Sequence, residues 1–403
     1  MTYQAILIAS IFLLLAFAIE RFGRASGVPS VIVLIAVGLA GKPALAAFGL
    51  TLDGIDVAVP IIGAIGLVLI VLDGALDIEL RRERLLTAVG AILMAGGGFA
   101  LCTVVFTLAA SWMLSMTLLQ AAILAVPFAV ISSAVAIPSS SFLPLHGREF
   151  VVYESSISDI LGVMVFFSLV NSTGTATDVF LGFVGGGVLS LLLSAVCAVG
   201  LVLILMRIDG HVRFIPLLAG LFGLYAAGKL MHLSPLIMVL LFGLALNNPT
   251  LITRFRPFQR WLDNSYEVTL NEFKFLTLEL TFAVRGFFFI LLGYWTDLPD
   301  LASIEAWLAT AFVLAFVYGS RHVMFRLSRS DLAGPLTWLA PRGLITVLLF
   351  LKAKETLALP HYLNGTVMLV VLVSATLIAV ARWRHAKNID VSNAPASDKP
   401  SVF

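Results

Sequence analysis

Apolar runs of about 18 or more residues recur from the first turn of this chain almost to its end, each long enough to cross a bilayer core of about 30 Å. Inside lipid every backbone N–H and C=O has to be satisfied within the chain, so runs of this kind fold as helices. Composition agrees: of 403 residues, 60% are apolar and 12% charged, against roughly 45–50% and about 25% in soluble domains. The sequence predicts an all-α polytopic membrane protein. Windows of about 20 residues mark thirteen spans, at 5–19, 28–41, 57–76, 86–114, 118–140, 150–171, 179–206, 214–231, 234–247, 275–296, 302–325, 333–353 and 363–382.

Basic residues sort strongly between alternate connections. One set carries Arg21, Arg24, Arg81, Arg82, Arg84, Arg148, Arg207, Arg254, Arg256 and Arg326, and the C-terminus adds Arg382 and Arg384, whereas the opposite set carries Lys42, Lys229, Lys352 and Lys354. By the positive-inside rule the N-terminus lies outside and the C-terminus in the cytoplasm, as an odd number of spans requires. The first run, Ala5 to Ile19, lacks a basic leader and a small-residue cleavage site and is expected to stay as a span. A net charge of +2 with no concentrated basic face excludes nucleic acid as a partner. Cys102 and Cys197 sit mid-way along apolar segments as core residues. The histidines show no metal-ligand spacing, and Gly96-Gly97-Gly98 reads as a helix-packing surface, with no preceding strand or following lysine to make a phosphate loop. No cofactor is expected, and no metal beyond a transported alkali cation.

The halves are nearly equal in length. Residues 1–171 hold spans one to six, 172–212 the seventh as a linker, 213–382 spans eight to thirteen, and 383–403 a short polar cytoplasmic tail. A shift of seven spans inverts each helix relative to its counterpart, which predicts two inverted-topology repeats. Corresponding spans should then share irregularities, and the fifth and twelfth do. The fifth contains Pro127 and, beyond Ile131-Ser132-Ser133-Ala134, Pro138; the twelfth contains Gly334-Pro335 and Ala340-Pro341-Arg342-Gly343. Proline removes a donor and clashes with the preceding turn, and serines satisfy freed backbone groups. Paired broken helices point to a transport site near the midplane.

An ionisable residue inside a span costs about 2.5–3.5 kcal/mol on insertion scales, so each calls for a reason. The sixth span carries Glu154 and Asp159, about 140° apart on a helix, with Ser155 sharing a face with Asp159 and Ser158 sharing one with Glu154. Asp159 and Ser155 offer hard oxygen ligands suited to an alkali cation, beside the carbonyls of a broken fifth helix around Ser132 and Ser133. Arg321 lies about one turn inside the eleventh span, on the side where the sixth begins; it either bridges to Glu154, leaving Asp159 as the unpaired carboxylate, or snorkels to the surface. Arg342 at the break of the twelfth span is placed to neutralise helix C-terminal dipoles. Asp73 and Asp77 mark an interface, and Arg285 is expected to pair with Glu279 or reach a headgroup.

These features resemble the monovalent cation/proton antiporter superfamily over nearly the whole chain. Pro29-Ser30-Val31-Ile32, Leu72-Asp73-Gly74-Ala75-Leu76-Asp77, Phe287-Phe288-Phe289-Ile290-Leu291-Leu292-Gly293 and Pro341-Arg342-Gly343 are similar to its motifs in order, and Glu154-Ser155 with Ser158-Asp159 to its most specific one. The resemblance implies that Asp159 alternately binds a cation and protons, that Glu154 pairs with Arg321, and that the protein is a homodimer with a moving core domain and a static dimer domain. Two departures stand out: Ser158 replaces an Asn or Asp, and Ser132-Ser133-Ala134 occupies the place of a Thr-Asp-Pro, closer to potassium-linked branches.

The expectation is thus a secondary transporter, not an enzyme, exchanging Na+ or K+ for protons electroneutrally across a bacterial inner membrane. Asp159, Ser155, Ser158, Glu154, Ser132 and Ser133 form the cation- or proton-binding set, and Arg321 and Arg342 are coupling residues. The rival readings are a sodium-coupled symporter of an organic anion on a related fold and a passive cation channel. An intramembrane protease would need a second deep aspartate or a serine and histidine at depth.

Overall fold

The computed structural model describes residues 2–26, 29–47, 55–77, 85–172, isolated positions between 177 and 200, and residues 214–230, 235–248, 264–328 and 333–393. The described residues form helices: α1 (Thr2–Ser26), α2 (Ser30–Ala47), α3 (Ile55–Asp77), α4 (Leu85–Met113), α5 (Leu118–Ala129), α6 (Ser133–Ser139), α7 (Leu145–Val170), α8 (Phe214–Leu230), α9 (Pro235–Asn247), α10 (Asn264–Trp295), α11 (Leu298–Ala302), α12 (Ile304–Ser328), α13 (Ala333–Trp338), α14 (Leu344–Thr356) and α15 (Tyr362–Asn393). Among them, seven stretches are long and apolar enough to cross a membrane: Ser30–Ala47, Leu86–Met113, Leu118–Phe142, Leu145–Val170, Tyr266–Trp295, Ile304–Ser328 and Tyr362–Trp383. A helix or a broken pair stands at twelve of the thirteen predicted spans, and the seventh lies largely outside the described residues. The helices outrun the predicted apolar windows. α10 starts at Asn264 and α15 runs on to Asn393, because polar residues prolong a helix beyond the hydrocarbon with no change in backbone pairing.

Large apolar side chains stay exposed along α1, α4 and α12, among them Leu14, Leu93 and Leu308. In a soluble protein such surfaces would demand a partner; here they face lipid. The Gly97 and Gly98 positions of α4 lie against Met324 of α12, so part of the glycine run is a packing surface.

The helices fall into two packing groups. α2 and α3 lie along α10, α1 rests on α2 and α10, and α9 joins α3 to α8. In the second group α4 packs on α5, α7 and α12, α6 lies on α7, α14 on α5, and α15 on α11, α12 and α13. Lighter contacts of α3 with α6, α7 and α14, and of α2 with α15, join the groups. Each group draws on both halves of the sequence.

Both spans break within the predicted segments, at Ser132 and at Pro341-Arg342-Gly343, whereas Pro127, Pro138 and Gly334-Pro335 lie inside the flanking helices. Thr117 caps α5, its hydroxyl accepting from the Gln120 amide while the Gln120 side chain accepts from the Thr117 amide. α5 then ends at Val130 (φ −76°, ψ 132°), and the extended backbone returns to helix after Ser132 (φ −80°, ψ 117°). The Val130 side chain lies against Gly162 of α7, in space that a Cβ would occupy, which fixes the break against the helix carrying Asp159. The second break lies between α13 and α14, over residues 339–343.

Candidate functional site

The two breaks cross at one backbone contact: the Ser132 amide donates to the Pro341 carbonyl at 2.9 Å. Gly343 permits this approach, since a Cβ there would lie 2.5 Å from Ser132 Oγ and 2.9 Å from its Cβ. Each interrupted helix leaves C-terminal carbonyls without an intrahelical partner, with a negative dipole end buried among them. Arginines take these carbonyls. Arg342, 1% exposed, donates from Nε to Phe128 O of α5 at 2.8 Å and from a terminal nitrogen to Ala340 O at 3.3 Å, while its amide donates to Ser374 Oγ at 3.0 Å. Arg321 donates to Leu336 O at 2.8 Å, Thr337 O at 3.3 Å and Leu339 O at 3.4 Å, at the end of α13.

Arg321 also forms a two-pronged pair with Glu154, at 2.5 Å to Oε1 and 3.0 Å to Oε2. Both side chains are buried, so Arg321 does not snorkel. A charge taken this far from water needs both a counter-charge and hydrogen bonds, and each member of this pair has both or is part of the other's supply.

Asp159 has no such partner. Its Oδ2 accepts from the Ser133 amide at 3.1 Å, at the start of α6, and its Oδ1 is buried without a hydrogen-bond partner. Two hydroxyls from the same elements, Ser132 Oγ and Ser156 Oγ, are likewise buried and unpartnered. Ser158 Oγ accepts from the Ile131 amide at 2.9 Å and so ties α7 to the break. Ser155 Oγ donates to Val151 O at 2.7 Å, which leaves its lone pairs available. The crossing therefore gathers a carboxylate with one open oxygen and several hydroxyl oxygens out of bulk water. Hard oxygens of this kind bind either an alkali cation or, at the carboxylate, a proton.

The structure thus brings Asp159, Ser132, Ser133 and Ser158 together by direct bonds or by sharing the break, and separates Glu154 into the pair with Arg321. Asp73 is half buried on α3, and the side chain of Asp77 lies outside the described residues. Arg285 departs from expectation. It sits 3.9 Å from the partly buried Glu20 of α1 and donates to Ala134 O of α6 at 3.3 Å, in place of Glu279 or a headgroup, because tertiary packing brings a backbone carbonyl and an acid from other helices beside it. Sequence reasoning missed Ser156 and Ser374. Ser156 lies one turn from Asp159 on α7, a spacing that was open to reading; nothing in the sequence singles out Ser374. Among the described residues no cluster of His, Cys, Asp and Glu is arranged to hold a metal.

A helical membrane protein with two broken helices crossing beside a buried carboxylate has the architecture of a secondary transporter. The sequence matches the sodium/hydrogen exchanger transmembrane family over residues 6–383, and the chain belongs to that family: it is a cation/proton transporter and not an enzyme. Its fold is that of the sodium proton antiporter MjNhaP1 from Methanocaldococcus jannaschii. The structure of that protein at pH 8 superposes with a TM-score of 0.70 and 20% identity, covering 94% of this chain and 99% of that one. An electron-microscopy structure of the same antiporter gives 0.68 and 18% identity, over 99% of this chain and 100% of that one. No curated protein sequence matches the chain.

Proposed function

We propose that the protein exchanges one alkali cation for one proton, with both competing for Asp159. The observation that carries this reading is the buried, unpartnered Oδ1 of Asp159, whose Oδ2 is tied to Ser133 at the break, next in sequence to the likewise unpartnered hydroxyl of Ser132. A cation bound there takes ligands from Asp159, Ser155 and Ser132, with Ser133 and Ser158 holding the break in register. Protonation of the same carboxylate displaces it. Glu154 is held in an ion pair with Arg321, so of Glu154 and Asp159 the latter is left to change charge, which supports a one-for-one, electroneutral count. Sodium is the family's cation, and the Ser132-Ser133-Ala134 sequence keeps potassium as its competitor.

Coupling follows from charge. An empty, ionised Asp159 in a low-dielectric crossing is costly to carry through the membrane, whereas the cation-loaded and protonated forms are neutral. Only loaded forms then change sides, and no uncoupled leak arises. We further infer that the protein works as a homodimer in a bacterial inner membrane with its N-terminus outside, on the strength of the basic-residue asymmetry and the family resemblance.

The test is proton movement in everted membrane vesicles, followed with a pH-gradient dye as sodium, lithium, potassium or rubidium chloride is added. Dye recovery with one or more cations, absent in Asp159→Asn, is the expected result and identifies the cation. Full recovery in the Asn variant overturns the assignment of the site. No recovery with any cation between about pH 6 and 9 would instead favour symport of an organic anion.

A further inference from the structure

Pro138 sits inside α6 and has no N–H to give. The carbonyl it leaves open is that of the residue four positions earlier, Ala134. That carbonyl is the one Arg285 reaches, at 3.3 Å. Arg285 belongs to α10 in the first packing group and α6 to the second, so the bond crosses from one group to the other. Its position matters for the site: Ala134 directly follows Ser133, whose amide holds Asp159 Oδ2. Arg285 also lines a cavity of about 110 Å³ together with Glu20, Ser30, Pro138, Ser139 and Arg382. The cavity lies near the C-terminal ends of α1 and α6 and the start of α2, with Ile378 and Arg382 of α15 on its wall. Ala134 itself lines this cavity, which gives a carbonyl released by Arg285 room for another partner.

We propose that Arg285 is a positioning residue for exchange, a contact between the two helix groups that seats the first turn of α6 through the carbonyl Pro138 leaves open and is broken and remade in each transport cycle. The proposal rests on the exchange reading above for its place in the cycle. Its geometric part stands without it: the restraint on α6 exists because residue 138 is proline. Arg285 touches neither the Asp159 carboxylate nor the hydroxyls that supply cation ligands, so its loss acts on the rate of changing sides more than on cation affinity.

A hydrogen bond to a charged donor contributes about 1.5–3 kcal/mol, so losing it corresponds to about tenfold or more. In proteoliposomes Arg285→Gln is expected to lower the maximal exchange rate about tenfold while the cation KM stays within about threefold. Arg285→Lys keeps a charged donor and should recover part of the rate. Pro138→Ala returns an amide at position 138 that can bond Ala134 within the helix, so in that background Arg285→Gln should cost less than about twofold. A second readout does not need transport: the rate at which an impermeant thiol reagent labels Ser139→Cys, with Cys102 and Cys197 replaced by Ala. Labelling should quicken at least about threefold with Arg285→Gln and return towards its starting rate when Pro138→Ala is added. Unchanged labelling and transport in Arg285→Gln, or losses of equal size with proline and alanine at 138, would overturn the proposal. If the wild type shows no exchange but labelling follows the expected pattern, the exchange reading fails and the α6 restraint stands.

Discussion

At the scale of single residues, charge and its supply of partners decide what each buried group does. Glu154 is 1% and Arg321 5% exposed, and each is the other's counter-charge. Removing one member of such a pair leaves an uncompensated charge, which costs about 3–5 kcal/mol, more than the pair contributes relative to apolar residues. Glu154→Ala and Arg321→Ala are each expected to lower the unfolding temperature of the detergent-solubilised protein sharply, and the double variant to be more stable than either single one. Independent, additive losses would contradict the pairing. Asp159→Asn behaves differently, because an amide oxygen still accepts from the Ser133 amide. It is expected to fold with a near wild-type unfolding temperature and to lose exchange completely. The pH dependence has a definite sign: as pH falls, protons occupy the carboxylate and the apparent cation KM on that side of the membrane rises, whereas an apparent KM insensitive to pH would argue for separate sites.

The breaks show, at the scale of elements, what a sequence reveals and what it withholds. Pro127, Pro138, Pro335 and Pro341, with the serines at 132 and 133, mark interrupted helices in matching spans, and the structure breaks both. Pro138, inside α6, even specifies the carbonyl it frees, that of Ala134. What no local pattern specifies is which side chain comes to a carbonyl that a proline or a helix end leaves open, since the answer lies far along the chain: Arg285 reaches Ala134 across 151 residues, and Arg342 reaches Phe128 across 214. The Glu154–Arg321 pair spans 167 residues and was still legible, because two expensive charges at the same depth have few other ways to be satisfied. Gly343 tests the crossing itself. Its φ of −168° is extended backbone that any residue adopts, so the need for glycine is steric. Gly343→Ala is expected to push the breaks apart, lower the unfolding temperature and abolish exchange. Adding Ser132→Gly, which removes the colliding Cβ and Oγ, should restore much of the stability; no recovery in the double variant would place the strain elsewhere.

Hydropathy alone conveyed the class of the whole molecule, since lipid leaves a chain this apolar little choice but helices. The division into two packing groups was not legible from the residue pattern, because each group takes helices from both sequence halves and only tertiary contact assigns them. That division carries a prediction. Gly74 of α3 and Ser156 of α7 face each other across the boundary, a Cβ on Gly74 lying 3.4 Å from Ser156 Oγ, close enough for cysteines at both positions to be bridged. In a background lacking Cys102 and Cys197, oxidation of Gly74→Cys with Ser156→Cys is expected to stop exchange and reduction to restore it. Undiminished exchange in fully cross-linked protein would show that the groups do not move against each other.

The central claim, that one carboxylate serves cation and proton in turn, is tested most directly by titration calorimetry of the purified protein with its transported cation, in buffers of different ionisation enthalpy. The account predicts release of up to one proton per cation bound, near zero well above the site's own titration and approaching one as the pH falls below it, with both binding and release absent in Asp159→Asn. Cation binding with no proton release at any pH, or binding retained in Asp159→Asn, would contradict it.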